Sequence, residues 1–111
     1  MHELDTDVAQ DAAVIRVDTR LTMVNAPELR AVVGEALAAG RTRVVVDLAA
    51  CEFMDSSGLG AIIGGLKAAR QAGGDLRIAR LTPQVMTVLE LTNLDRVLRP
   101  HGSVQEALDD R

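Results

Sequence analysis

The sequence predicts an α/β fold in which a mixed sheet of four or five strands carries about four helices. Short runs rich in β-branched residues alternate along the chain with longer segments whose apolar residues recur at helical spacing. With 111 residues the chain has the length of one ordinary domain, so we expect a single domain over residues 1–111. Strand–helix–strand connections favour parallel neighbours joined by right-handed crossovers.

The first third of the chain predicts a strand and a helix. Residues 13–17 form the first clear strand, and residues 3–8 are a candidate edge strand before it. Asn25 is a favourable helix cap, and Glu28 completes a pattern that resembles a capping box. The apolar stripe that follows ends at Gly40, a residue type that commonly follows the last helical turn.

The middle third predicts a central strand and the second helix. Residues 43–48 include three consecutive valines without polar alternation, which is typical of a strand covered on both faces. A loop over residues 49–55 follows. A helix then begins near Ser56, carries apolar residues toward Ala69 and ends at two consecutive glycines.

The last third predicts two short strands and two helices. Residues 76–79 form a strand, and a Thr-Pro pair at 82–83 opens the third helix. Residues 96–98 form a short strand. Ser103 followed by Glu106 is a further capping box, which predicts a short terminal helix.

Composition and charge exclude several classes of function. Twelve basic against sixteen acidic residues give a net charge of −4, which disfavours binding to a nucleic-acid backbone. Phe53 is the single aromatic residue, so the chain lacks a platform for stacking bases. No apolar run approaches the roughly 20 residues needed to cross a bilayer, so we expect no membrane segment. The acidic start is unlike a secretory signal and Cys51 is the only cysteine, which together favour a cytoplasmic protein.

The segment 53–60, between the central strand and the second helix, is the most informative part of the sequence. The carboxyl ends of strands in open α/β sheets are where ligands and partners bind. Asp55, Ser56 and Ser57 are residue types that cap the free N–H groups of a helix start. Gly58 and Gly60 each cost helix stability by roughly 1 kcal/mol relative to alanine. We interpret these glycines as a constraint other than stability, namely room for another surface to approach.

This segment resembles the STAS domain family, and more narrowly the bacterial anti-sigma factor antagonists. The resemblance rests on the valine-rich strand ending in Asp47-Leu48, on the Asp55-Ser56-Ser57-Gly58-Leu59-Gly60 block and on the Ile62-Ile63-Gly64 that follows. It extends from about residue 12 to residue 108. It includes 26–30 in the first helix and Val104, Ala107 and Leu108 in the last one.

The resemblance implies a regulatory binding protein rather than an enzyme, with no cofactor. In the family, the unmodified protein binds an anti-sigma factor that is also an ATP-dependent serine kinase, and this binding frees the sigma factor for transcription. Phosphorylation of a serine at the start of the second helix breaks the complex, and a phosphatase restores it. The family's acceptor serine corresponds to Ser56.

The resemblance also implies a set of contact residues around the acceptor. Family members often carry an aspartate in the loop before the first helix, close to the acceptor serine. Thr22 stands at that position here, which puts the efficiency of phosphorylation in question. The expected partner-binding residues are Asp55, Ser57, Gly58, Leu59, Thr22 and Met23.

The residues themselves leave simpler interpretations open. Ser56 could be an ordinary helix cap, Ser57 a capping or surface hydroxyl, and Asp55 only a favourable charge at a helix start. Met23 and its neighbour Val24 would pack on the sheet or form a partner patch. The same two interpretations, packing inside the protein or exposure to a partner, apply to Phe53 and Met54 at the corner between the strand and the helix. Cys51 fits a small buried residue.

Three other classes of function compete with this one. A dinucleotide-binding enzyme would need a tight turn before the glycines, whereas about seven loop residues intervene. A serine hydrolase would need a Gly-x-Ser-x-Gly turn, which is absent. The third class, a kinase-independent module of the same fold in a signalling, ligand-sensing or lipid-transport assembly, stays open. His2 and His101 lie near opposite ends of the chain, so we expect no metal site.

Overall fold

The computed structural model describes the backbone of residues 2–5 and residues 11–109 in full. Its elements follow the predicted alternation of strands and helices. In chain order they are β1 (His2–Asp5), β2 (Ala12–Val17), β3 (Arg20–Leu21), α1 (Ala26–Ala38), β4 (Arg43–Asp47), β5 (Phe53–Met54), α2 (Ser56–Gln71), β6 (Asp75–Ala79), α3 (Pro83–Leu91), a short 3₁₀ turn (Leu94–Arg96), β7 (Pro100–His101) and α4 (Val104–Asp109).

The main sheet has five strands in the order β1-β2-β4-β6-β7. β1 runs antiparallel to β2, and the remaining neighbours are parallel. The predicted mixed sheet and the four helices are therefore confirmed. A second sheet consists of the two-residue strands β3 and β5, which pair in parallel. None of the described helices is long and apolar enough to cross a membrane.

β4 lies at the centre of the sheet and is covered on both faces, as its valine run predicted. Val44 and Val46 belong to the larger apolar cluster, which they share with residues of α1 and α2 such as Leu29 and Ile62. Val45 faces the smaller cluster, where α4 contributes Ala107 and Leu108. Because both faces of β4 are apolar, its carboxyl end is fixed between two layers of packing.

Two glycines end helices as the sequence predicted. Gly40 follows α1 with φ +84° and Gly73 follows α2 with φ +87°, values that residues with a Cβ rarely adopt. The N–H of Gly74 donates to the carbonyl of Ala69 at 2.9 Å, which closes the last turn of α2. At α4, the Ser103 hydroxyl accepts from the N–H of Glu106 at 3.0 Å, so this cap is confirmed as well.

Two local predictions are wrong. The strand expected at 96–98 is a 3₁₀ turn followed by a bend, and the strand forms two residues later as β7. The reason is that Leu98 is drawn into the core, where it is 1% exposed, and its N–H donates to the carbonyl of Leu94 at 2.8 Å. β7 is an edge strand, where a proline is tolerated because one side of the strand needs no ladder bonds.

The capping box expected at Asn25 and Glu28 does not form either. Asn25 precedes α1, but its side chain turns back into the preceding loop. Its Oδ1 accepts from the N–H of Thr22 at 2.8 Å, and its Nδ2 donates to the carbonyl of Arg20 at 2.8 Å. The asparagine therefore stabilises the loop rather than the helix. Of the candidate edge strand 3–8, residues 3–5 lie in β1, and residues 6–8 lie outside the described residues.

Candidate functional site

The small β3–β5 sheet positions the site at the carboxyl end of the main sheet. Leu21 of β3 pairs with Met54 of β5, which joins the loop after β2 to the loop after β4. The carbonyl of Leu21 also accepts from the N–H of Asp55 at 3.2 Å. Two segments that are distant in the sequence therefore meet where α2 begins.

Asp55 is the N-terminal cap of α2. Its backbone is extended, and its Oδ1 accepts from the N–H of Gly58 at 2.9 Å. Its Oδ2 accepts from the N–H of Met23 at 3.2 Å. One carboxylate therefore satisfies a free donor of the helix and holds the loop before α1 against it.

Ser56 is the first residue of α2, and its side chain is exposed. No described residue forms a side-chain hydrogen bond with it. Since Asp55 already holds the cap, the simpler interpretation of Ser56 as an ordinary helix cap is wrong. Ser57 is half-buried, and its hydroxyl likewise lacks a hydrogen-bond partner among the described residues.

Gly58 and Leu59 lie inside the protein rather than on its surface. A Cβ at Gly58 would lie 2.3 Å from the carbonyl oxygen of Leu21, so only glycine fits between α2 and β3. Leu59 is 6% exposed and belongs to the larger core cluster. The interpretation of Gly58 as room for another surface is therefore wrong. A glycine is needed here because α2 packs closely against β3 inside the protein.

Gly60 differs from Gly58 in this respect. It is exposed, and a Cβ there would reach only Nη2 of Arg30, at an ordinary contact distance of 3.8 Å. Gly60 follows Ser56 by four residues, so the two lie side by side on one face of α2. Internal packing does not explain this glycine, and the space beside Ser56 is open.

Exposed apolar side chains flank the start of α2. Met23 is 72% exposed and Val24 is 88% exposed, so they do not pack on the sheet. Phe53 is 46% exposed, whereas Met54 is buried. Thr22, half-buried, uses its Oγ1 to accept from the N–H of Val24 at 3.3 Å. The structure therefore brings the predicted loop and helix residues together. We call Met23, Val24, Phe53, Asp55, Ser56 and Gly60 the Ser56 surface.

Two residues that support this surface were not found from the sequence. Gln84 of α3 brackets the backbone of Met54, accepting from its N–H at 3.0 Å and donating to its carbonyl at 3.4 Å. The hydroxyl of Thr82 donates to the carbonyl of Cys51 at 2.7 Å. The Thr-Pro pair marked a helix start, but no spacing in the sequence relates 82–84 to 51–54. Cys51 is fully buried, and burial raises the pKa of its thiol.

An ion pair between a buried carboxylate and an exposed arginine, at the same edge of the sheet, was also missed. Asp47 ends β4 and is 2% exposed, and it holds Arg80 through bonds of 3.1 and 2.6 Å. Arg16 lies 3.7 Å away. Burial raises the pKa of Asp47, but the hydrogen bonds from Arg80 and the N–H of Ala49 and the two positive charges outweigh it, so the pKa lies below its usual value. Within the described part of the chain, no group of three or more His, Cys, Asp or Glu side chains could hold a metal ion.

The model of the STAS domain family matches residues 3–107. The chain belongs to this family, within its anti-sigma factor antagonists. An anti-sigma-B factor antagonist of Staphylococcus epidermidis is 31% identical over 91 residues, which cover 82% of this chain and 84% of that protein. An anti-sigma F factor antagonist of Paenibacillus polymyxa is 33% identical over 67 residues, 60% of this chain and 57% of that protein.

Solved structures agree with this assignment. A Thermotoga maritima protein assigned to the anti-sigma factor antagonists has a TM-score of 0.87 and 27% identity, covering 98% of this chain and 92% of that chain. The phosphorylated form of SpoIIAA, a Bacillus cell fate determinant, has a TM-score of 0.76 and 24% identity, covering 98% of this chain and 97% of that chain. At this identity the likeness to SpoIIAA shows the fold.

Proposed function

We propose that this chain binds an anti-sigma factor through the Ser56 surface, and that phosphorylation of Ser56 releases it. The observation that carries the proposal is the hydroxyl of Ser56, which is exposed at the first position of α2 and free of hydrogen bonds from the described residues. A kinase can reach such a hydroxyl without unfolding the helix, because Asp55 keeps the cap in place. The relatives named antagonists of anti-sigma factors supply the class of partner.

The electrostatics of the start of α2 explain how one modification breaks the complex. A phosphate adds about −1.5 to −2 charges at pH 7, and on Ser56 it lies beside the carboxylate of Asp55. Where the partner places a carboxylate about 4 Å from this phosphate, that like-charge contact costs on the order of 4 kcal/mol at an effective dielectric constant of 20. Since about 1.4 kcal/mol changes an affinity tenfold, this cost corresponds to several hundredfold weaker binding.

The free protein tolerates the same phosphate. The phosphate faces solvent, and the N-terminus of α2 stabilises a negative charge by about 0.3–1 kcal/mol. Exposed apolar residues such as Val24 and the open position at Gly60 give the unmodified surface its contact area. The switch therefore acts through contact with the partner and needs no rearrangement of the fold.

The kinase, the phosphatase and the location follow as parts of this proposal. The anti-sigma factor serves as the ATP-dependent serine kinase, a phosphatase regenerates the free hydroxyl, and both act in the cytoplasm. The chain is the bound substrate of these reactions rather than a catalyst. Thr22 offers no carboxylate beside Ser56, and its hydroxyl is engaged with the N–H of Val24, so we expect phosphorylation to be slow.

Thr22 is also the observation that favours the second candidate, a kinase-independent binding module of the same fold. That module would bind its partner through the exposed apolar side chains of Met23 and Val24, without modification of Ser56.

The test compares Ser56 variants in binding to the anti-sigma factor that co-purifies with the chain. We expect Ser56→Ala to keep wild-type affinity in calorimetric titration and Ser56→Asp to weaken it at least tenfold. After incubation with ATP, intact mass should show one added phosphoryl group on the wild type and on the matched control Ser57→Ala, and none on Ser56→Ala. Equal affinities of the alanine and aspartate variants would reject Ser56 as the switch. Binding without any phosphoryl transfer would favour the second candidate.

A further inference from the structure

A cleft of about 440 Å³ lies beside the C-terminal end of α2, whereas Ser56 begins that helix. It opens beside the first residues of β6, because β7 pairs only with Ile78 and Ala79 at the end of that strand. Arg70, near the end of α2, lines the cleft. At a rise of about 1.5 Å per residue, Arg70 is separated from Ser56 by roughly 21 Å of helix.

The cleft collects positive charge in a chain whose net charge is −4. Arg70, Arg77, Arg96 and Arg99 line it, which is four of the twelve basic residues of the chain, and Asp75 is its single acidic residue. The four arginines and the one aspartate give the lining a formal charge of +3. Like charges gathered in this way repel one another, so a bound anion would be stabilised.

The four arginines are not equally engaged. The carboxylate of Asp75 lies 3.4 Å from Nε of Arg70 and 3.5 Å from Nε of Arg77. Arg77 is held further by donating to the carbonyl of Ala107 at 2.9 Å. Arg96 and Arg99 are exposed, and neither has an ion-pair or hydrogen-bond partner among the described residues. The cleft therefore combines two guanidinium groups that are held by Asp75 with two, those of Arg96 and Arg99, that can close on a ligand.

We propose that this cleft binds a small ligand through a diphosphate or triphosphate group. Guanidinium groups bind phosphate oxygens in pairs, and the excess of three positive charges matches a diphosphate. A volume of about 440 Å³ lies in the range of small-molecule sites, roughly 300–1,000 Å³. The chain has no Trp or Tyr, and the cleft has only Leu76 and Val97 as apolar lining, so stacking on a base is not provided. Recognition therefore rests on the phosphates rather than on the group that carries them.

Titration of the full-length protein with tripolyphosphate, pyrophosphate, ADP and orthophosphate tests the proposal. We expect one saturable site, similar affinities for pyrophosphate and ADP, and orthophosphate at least tenfold weaker. Arg96→Gln combined with Arg99→Gln should weaken tripolyphosphate binding at least tenfold. Arg20→Gln combined with Lys67→Gln removes the same charge from exposed positions outside the cleft and should leave the binding within about twofold.

Several results would overturn the proposal. These are no saturation at millimolar tripolyphosphate, equal losses in the two double variants, tight binding of ADP without binding of pyrophosphate, and binding of a glutamate-rich peptide in place of tripolyphosphate. The four substituted side chains are all exposed, so circular dichroism should show the native fold in both double variants. Failure here would leave the switch at Ser56 untouched, since the two sites lie at opposite ends of α2.

Discussion

The carboxylate of Asp55 accepts a hydrogen bond from the N–H of Met23 at 3.2 Å, across 32 positions of the sequence. The other oxygen of the same carboxylate caps α2. The exposed loop before α1 is thereby fixed against the helix that presents Ser56. Any partner that binds Ser56 meets both segments as one surface.

Asp55→Ala should lower the free energy of unfolding by about 0.5–2 kcal/mol, the usual cost of losing a helix cap. Asp55→Asn keeps one oxygen acceptor for the N–H of Gly58 and should lose less. Urea denaturation followed by circular dichroism measures both. If the alanine variant unfolded at the wild-type urea concentration, Asp55 would not be stabilising the start of α2.

Alanine at two neighbouring glycines of α2 should change stability in opposite directions. Gly58→Ala places a Cβ 2.3 Å from the carbonyl oxygen of Leu21 and should cost about 1–3 kcal/mol of folding free energy. Gly60→Ala meets no such obstacle and should gain about 1 kcal/mol from helix propensity. Gly34→Ala on α1, where a Cβ would meet no described atom within 4 Å, is the matched control and should also gain. The urea midpoints of the three variants give the comparison, and a stabilised Gly58→Ala protein would contradict the packing described above.

Val24→Ser should weaken binding to the anti-sigma factor without changing the fold. Val24 is 88% exposed and follows Met23, whose N–H donates to Asp55, so a polar replacement removes contact area from the complex and little from the free protein. Leu91→Ser is the control, because Leu91 is 79% exposed at the end of α3. We expect at least a fivefold loss of affinity for Val24→Ser alone in calorimetric titration. Equal losses in the two variants would place the contact surface elsewhere.

Acid should destabilise the protein partly through Asp47. Its pKa in the folded protein is lowered, so the unfolded chain takes up a proton first as the pH falls. The stability that Asp47 contributes is therefore fully present above its unfolded pKa, about 3.9, and is lost as the pH falls through the lower folded value. Asp47→Asn should be less stable than the wild type at pH 6, and the difference should shrink toward pH 2. Unfolding free energies from urea titrations at several pH values measure this, and a gap that stays constant with pH would exclude the effect.

Local patterns in the sequence are enough to give the order of most elements and the segment that carries Ser56. These features involve residues only a few positions apart, so the sequence is enough to find them. They include apolar periodicity, helix-ending glycines such as Gly40 and the cap at Ser103. The same local reasoning failed at 96–98, because burial of Leu98 overrode strand propensity. It failed again at Asn25, whose side chain found partners in the preceding loop.

The surroundings of Ser56 depend on contacts that form only when distant segments pack together. The strands β3 and β5 have two residues each, which is too short for any periodic pattern, yet their pairing brings Met23 to Asp55. Gly58 is required by the close approach of Leu21, and Asp47 pairs with Arg80; both are contacts between distant parts of the chain. The arginines that line the cleft near the end of α2 come from α2, from β6 and from the segment before β7. They come together only when the chain folds. Packing of distant segments sets these features, and a single sequence carries no local signal of which distant residues will meet.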